Sequence, residues 1–155
     1  MDRCILKIVN KGKAVISMQF NKGTIKPTDN QKKILYKDLS KQGKQQAKTL
    51  ASRLNKNSKF TLHCLEKVDN GEVVLDSKLL TSILNGRYSI IELNQTGKHK
   101  RVLLRSLDSS KYDNDTCNLC VVYQAYDDTI ITMYDNKVGD NHTSIDLKRY
   151  SKSFK

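Results

Sequence analysis

The sequence predicts a small α+β protein: two helices packed on an antiparallel β-sheet, preceded by a basic β-hairpin and a helical region. Apolar residues recur at helical spacing in the middle of the chain, and short apolar-rich runs bounded by turn residues lie near both ends. The charge is unevenly divided. Residues 1–62 contain 15 Lys and Arg against 3 Asp and Glu, and residues 63–155 contain 13 against 13, so the net charge of +12 belongs to the N-terminal segment.

The N-terminal segment is predicted to contain the hairpin and the helical region. Residues 4–9 and 14–20 are apolar-rich runs, and the turn sequence Asn10-Lys11-Gly12-Lys13 separates them. Residues 28–57 are rich in Lys, Gln, Leu and Ala, which favours helix. Gly43 is expected to bend or split that segment into two helices.

A change of composition near residue 59 divides the chain into residues 1–59 and residues 60–155, which can form one continuous body. In the second unit, Thr61 is expected to cap a short helix, and Asp76 or Ser77 a second helix with one apolar stripe. A tight turn at Asp127-Asp128 is expected to join the last two strands. The four predicted strands are residues 88–93, 101–107, 119–126 and 129–134.

The excess positive charge predicts a polyanionic partner, of which RNA is the one we favour. An anionic membrane surface, or a solvated lysine-rich face without a partner, would carry the same charge. Residues 28–57 have Tyr36 as their only interleaved aromatic residue, so they fit phosphate contact better than base stacking. The predicted nucleic-acid-binding residues are Lys32, Lys33, Lys37, Lys41, Lys44, Lys48, Arg53 and Arg101.

No apolar run is long enough to cross a bilayer, and the N-terminus has no signal-peptide pattern. We therefore expect a cytoplasmic protein with no membrane partner. Its four cysteines are expected to stay reduced. Cys117-Asn118-Leu119-Cys120 is a lone CxxC pattern without a second pair, so two small apolar side chains at a strand start are favoured over a zinc site.

Histidine, arginine, threonine and tyrosine side chains could supply metal-free chemistry on a phosphodiester. His63 lies at the start of a predicted helix, and His142 lies in a polar loop. Because strand side chains alternate between faces, Arg101 and Arg105 share one face of their strand, as Thr132 and Tyr134 do of theirs. A capping histidine, solvated arginines and ordinary strand formers would give the same pattern.

Residues 60–150, about three-fifths of the chain, resemble a divergent domain of the RelE-like, or BECR, superfamily of metal-independent ribonucleases. The motifs are Thr61-Leu62-His63 at a helix start, a helix ending at Asn85-Gly86, a strand with Arg101 and Arg105, and Ile131-Thr132-Met133-Tyr134. Where the family has an arginine after the histidine, this chain has Glu66-Lys67.

The resemblance implies an endoribonuclease of toxin, phage or mobile-element origin that needs no metal or other cofactor. His63 and His142 would share the acid and base roles. Arg105, with Arg101, would neutralise the phosphate, while Thr132 and Tyr134 would orient it. An acidic antitoxin or immunity protein is the partner that such an enzyme would need.

Two other functions stay open at the level of sequence, as does the oligomeric state. A non-catalytic nucleic-acid-binding protein would have the same charge but would tolerate loss of His63 and Arg105. A phage-type inhibitor module would bind an acidic host or defence protein and ignore RNA. A membrane-surface protein ranks last, because residues 28–57 have only a modest apolar stripe.

Overall fold

The structure is a computed structural model that describes residues 3–10, 14–21, 32–71, 76–96, 99–112 and 114–140. It confirms the α+β class, with three α-helices beside one sheet. The helices are α1 (Lys41–Ala51), α2 (Leu62–Asp69) and α3 (Ser77–Leu84). The strands are β1 (Arg3–Asn10), β2 (Ala14–Asn21), β3 (Lys32–Leu35), β4 (Lys59–Thr61), β5 (Tyr88–Thr96), β6 (His99–Ser106), β7 (Ser110–Tyr112), β8 (Asp115–Gln124) and β9 (Thr129–Lys137).

The nine strands form one sheet in the order β1-β2-β4-β9-β8-β6-β5-β3, and β7 pairs with β8 beside this path. The sheet is mostly antiparallel, as predicted, but β4 pairs in parallel with both β2 and β9. Parallel neighbours need long crossover connections, and the chain between β4 and β9 supplies one that contains α2 and α3. The division predicted near residue 59 falls at the start of β4, which links β2 to β9.

The segment predicted as two helices contains a strand and one helix among the residues described. β3 pairs antiparallel with β5, and this pairing buries Ile34 to 3% exposure, which overrides the helical preference of the lysines around it. The Ser40 hydroxyl accepts a hydrogen bond from the Gly43 amide at 3.0 Å. Gly43 therefore lies inside the capped first turn of α1 and does not divide two helices.

One face of the sheet is covered by the helices and forms the apolar core. α1 packs against β5 and β6, α2 against β4 and β9, and α3 against β6 and β8. Ala47 and Ala51 of α1 join the same core as Leu80 and Ile83 of α3. The sheet side chains in this core are Phe60, Leu93, Val102, Leu104, Leu119, Val121, Tyr123, Ile130 and Met133.

Candidate functional site

The start of α2 lies against β9 because Thr61 bonds to both. Its hydroxyl accepts from the Cys64 amide at 3.1 Å as the N-cap of α2 and donates to the Ile131 carbonyl at 2.6 Å. The predicted cap is confirmed. The Thr61 hydroxyl thus sets the position of the helix that carries His63, and both of these hydrogen bonds stay within the protein.

A cluster forms where α2 meets β9. The Lys67 ammonium lies 3.4 Å from the Thr132 hydroxyl and 5.8 Å from the centre of the Tyr134 ring. His63 is exposed and lies one turn before Lys67 on the same side of α2. The structure therefore brings the helix of His63 next to Thr132 and Tyr134. Lys67 was not among the predicted site residues, although its place one turn after His63 was a signal that the sequence contains.

Arg105 lies in the same cross-strand row as Tyr134, with Cys120 between them. Its guanidinium donates to the Asn118 side-chain oxygen at 2.9 Å and to the Lys137 carbonyl at 2.8 Å. A third, longer contact reaches the Asp140 carbonyl at 3.4 Å. Arg105 thus stabilises the end of β9. Three of its roughly five N–H groups form hydrogen bonds within the protein.

The other predicted acid–base residue, His142, lies outside the described residues. Its place beside His63 stays a prediction. The nearest described residue before it is Asp140, whose carbonyl is the one that Arg105 approaches.

Arg101 is only 5% exposed, so its guanidinium does not lie on the surface where it was predicted to bind nucleic acid. Its Nε donates to the Gln124 side-chain oxygen at 2.9 Å, and Gln124 donates to the Asp127 carboxylate at 3.1 Å. Burial lowers the pKa of Arg101, and the nearby Asp127 opposes that effect. Arg101 belongs to a buried polar row on the sheet face opposite the helices, with Asn94 on one side and Gln124 on the other.

The predicted phosphate-binding cations differ in how exposed they are. Lys33 forms an ion pair at 3.3 Å with Glu92, whose side chain is 1% exposed. Lys44 is half-buried, with its ammonium 5.7 Å from the centre of the Tyr36 ring. The exposed members of the set are Lys32, Lys37, Lys41, Lys48 and Arg53, and the exposed Lys56 joins them.

The basic face, defined here as Lys41, Lys44, Lys48, Arg53 and Lys56, belongs to a stretch without negative charge. No Asp or Glu occurs between Asp38 and Glu66. Lys41, Lys44 and Lys48 are spaced three and four residues apart, so they line one side of α1 over about 10 Å.

Lys41, Lys44 and Lys48 are the members of the basic face on α1, and of these only Lys48, in the last turn, is favoured by the helix dipole. Like charges at this spacing destabilise a helix by about 0.2–0.5 kcal/mol per pair. Lys41 also lies in the first turn of α1, which contains no acidic residue, where the helix dipole disfavours a cation. The arrangement therefore fits an external anion better than a role in folding.

The CxxC pattern is part of strand β8. Residues three apart on a strand point to opposite faces, so Cys117 and Cys120 are directed away from each other. Burial raises the pKa of Cys120 to about 12, which keeps it a thiol and not a metal-binding thiolate. Within the described ranges, no three His, Cys, Asp or Glu side chains are grouped as metal ligands would be.

The described helices include none with the length and apolar character needed to cross a membrane. Comparison of the chain with protein-family models, with curated proteins and with solved structures gave no match. The resemblance to the RelE-like ribonucleases therefore rests on the sequence motifs alone, and the function has to be argued from the residues of this chain.

Proposed function

We propose that the chain is an RNA-binding protein whose basic face contacts the phosphate backbone. The observation that carries this proposal is the 27-residue stretch from Leu39 to Leu65, which contains six Lys and Arg and no acidic residue. Lys41, Lys48 and Arg53 of this stretch are exposed. Exposed cations bind a polyanion by releasing its condensed counterions.

A cytoplasmic location is part of the proposal. The three described cysteines, Cys64, Cys117 and Cys120, are free and buried. Reduced thiols are the usual state in that compartment, which also holds the RNA.

The proposal predicts that neutralising the basic face weakens RNA binding far more than neutralising other lysines. In the triple variant Lys41→Gln/Lys48→Gln/Arg53→Gln, the slope of log K against log salt should decrease by about 2, since each single-strand contact contributes about 0.7. If the variant and the wild type bind equally at 1 M salt, this slope change makes the affinity of the variant about a hundredfold lower at 0.1 M salt. Fluorescence anisotropy with a labelled single-stranded RNA, measured at several salt concentrations, gives both numbers.

The matched control is Lys78→Gln/Lys111→Gln/Lys137→Gln, which removes the same charge from exposed positions on α3, β7 and β9. Both triple variants lower the net charge equally, so a general charge effect would weaken them alike. Equal losses in the two variants, or an RNA affinity that does not respond to salt, would contradict the assignment of the basic face.

A second candidate function is metal-independent RNA cleavage at the cluster of His63, Lys67, Thr132 and Tyr134. The supporting observation is the Lys67 ammonium at 3.4 Å from the Thr132 hydroxyl, one helical turn from His63. A histidine can transfer the proton of a ribose hydroxyl, and an adjacent ammonium can stabilise the charge that develops on the phosphate. The resemblance to the RelE-like ribonucleases supports the same candidate.

If the cluster is catalytic, purified protein should cut RNA in the presence of EDTA, and His63→Ala should reduce the rate by about a hundredfold or more. Lys67→Gln should reduce it as well, whereas Glu66→Gln, an exposed neighbour on the same helix, serves as the control. Denaturing gels of total RNA and tRNA measure the cleavage. RNA that stays intact with the wild-type protein at salt concentrations where it binds would rule out the nuclease and leave the binding function.

A further inference from the structure

An aromatic pair, the exposed Tyr126 and the half-buried His99, lies at the end of the sheet where β8 ends and β6 begins. Tyr126 follows β8 in a short 3-10 turn, and its side chain is 77% exposed. Its ring centroid lies 4.5 Å from that of His99, with 43° between the two planes. A side chain this exposed buries little apolar area, so it adds little to the stability of the fold.

Hydrogen bonds join the turn that holds Tyr126 to Ser58 and Lys59, which follow α1 in the chain. The Lys59 ammonium donates to the Asp127 carbonyl at 3.2 Å. The Lys59 amide donates to the Asp128 carbonyl at 2.9 Å, and the Ser58 hydroxyl donates to the Asp128 carboxylate at 2.5 Å. The loop that follows α1 therefore lies directly beside Tyr126.

A further contact joins the His99 side of the pair to α1. Lys100, the residue after His99, donates from its ammonium to the Gln46 side-chain oxygen at 2.9 Å. Gln46 is exposed on α1 but, two residues from both Lys44 and Lys48, it lies on the other side of the helix. The link between the aromatic pair and the basic face is therefore the loop after α1, which contains Arg53 and Lys56.

The two carboxylates near the pair already accept hydrogen bonds from the protein. Asp127 accepts from the Gln124 amide at 3.1 Å. Asp128 accepts from the Ser58 hydroxyl and from the Tyr123 hydroxyl at 2.6 Å. These bonds hold both carboxylates in the turn that carries Tyr126.

We propose that Tyr126, supported by His99, stacks on an unpaired base of a single-stranded RNA whose phosphates contact the basic face. This inference rests on the proposed RNA-binding function and adds the substrate class, since bases inside a duplex are already stacked on one another and an unpaired base is free to cover the ring. Single-strand-binding proteins combine a positively charged surface with aromatic side chains on which bases stack. Stacking does not depend on base identity, so the preference should be for strandedness over sequence.

The absence of tryptophan from the sequence allows a direct test. In Tyr126→Trp, the single tryptophan should lose fluorescence when single-stranded RNA is added and should respond much less to a duplex of the same sequence. Tyr126→Ala should bind the single strand about tenfold more weakly, because stacking contributes about 1–3 kcal/mol per base. Its salt slope should equal that of the wild type, because an aromatic ring releases no counterions.

Leu107 provides the matched control, since it is 57% exposed and follows the other end of β6. A strand of this length places it about 25 Å from His99. Leu107→Trp should not be quenched, and Leu107→Ala should bind as the wild type does.

If the wild type binds RNA with salt dependence but Tyr126→Ala binds equally well and Tyr126→Trp is not quenched, the stacking site is wrong and the RNA-binding function stands. If the wild type binds no RNA at all, both proposals are wrong.

Discussion

Replacing Asp128 with alanine is expected to lower the free energy of unfolding by about 4 kcal/mol. The Asp128 carboxylate accepts hydrogen bonds from Ser58 at 2.5 Å and from Tyr123 at 2.6 Å. Ser58 is 2% exposed and Tyr123 is 0% exposed, so both hydroxyls would lose a buried partner, at about 1–3 kcal/mol each. Asp128 also has a φ of 54°, a left-handed conformation in which alanine is strained by about 1 kcal/mol.

Two further substitutions separate these contributions. Asp128→Gly relieves the backbone strain but leaves both hydroxyls unpaired, so it should be about 1 kcal/mol more stable than the alanine variant. Asp128→Asn keeps an oxygen acceptor and a side chain that tolerates the left-handed region, and it should be the least destabilised. Urea unfolding followed by circular dichroism measures all three. A glycine variant as stable as the wild type would show that the hydrogen bonds contribute nothing.

The position of this turn was predictable from sequence, but its network was not. Asp127-Asp128 between two apolar runs was a sufficient signal for the β8–β9 connection. The partner Ser58 is 70 residues away along the chain, in a loop that no local pattern places beside the turn. Contacts of this kind depend on the order of strands in the sheet, which places β4 next to β9.

Sheet pairing also explains the missed strand. Strand patterns of apolar residues, either alternating with polar ones or continuous, occur in residues 101–107 and 129–134. The predicted strands therefore agree with β6 and β9 to within a few residues. β3 consists of Lys32, Lys33, Ile34 and Leu35, which fit a lysine-rich helix equally well. Its pairing with β5 decides the outcome, because that pairing buries Ile34 and brings Lys33 to Glu92.

For the candidate site, the alternation of strand side chains was enough to group Thr132 with Tyr134 and Arg101 with Arg105, and the register of the strands places Arg105 and Tyr134 on the same face. The alternation could not show that the Arg105 guanidinium donates to the carbonyls of Lys137 and Asp140, because every residue has a backbone carbonyl and the sequence does not indicate which ones accept. Tyr126 was missed for a similar reason. As the last residue of a predicted strand it looked like part of the sheet, whereas the turn exposes its ring beside His99.

Alkaline pH is expected to unfold the protein through its buried thiols. Burial raises the pKa of Cys64 from 9.0 to about 12, although Lys67 and a hydrogen bond with the Met133 backbone oppose it. Burial likewise raises the pKa of Cys120 to about 12. Because the folded-state pKa values are raised, this stabilisation is complete below pH 9, the ordinary pKa of a thiol, and is lost as pH increases toward 12.

Each of the two thiols should lower the free energy of unfolding by about 1.4 kcal/mol per pH unit over that range. Burial and the bond to Asp128 also raise the pKa of Tyr123 above 10.0, which adds to the loss at higher pH. A domain stabilised by about 5–15 kcal/mol should therefore lose a large share of its stability by pH 11. Urea unfolding at pH 7, 9, 10 and 11, with a reducing agent present, measures the slope.

The variant Cys64→Ala/Cys120→Ala isolates the contribution of the two thiols. Its stability at pH 7 should be lower, because two buried side chains are truncated. Its stability should also fall less steeply above pH 9, by about 3 kcal/mol per pH unit relative to the wild type. Parallel curves for the two proteins would mean that these thiols release their protons without unfolding the chain, and the link between their burial and its stability would then be wrong.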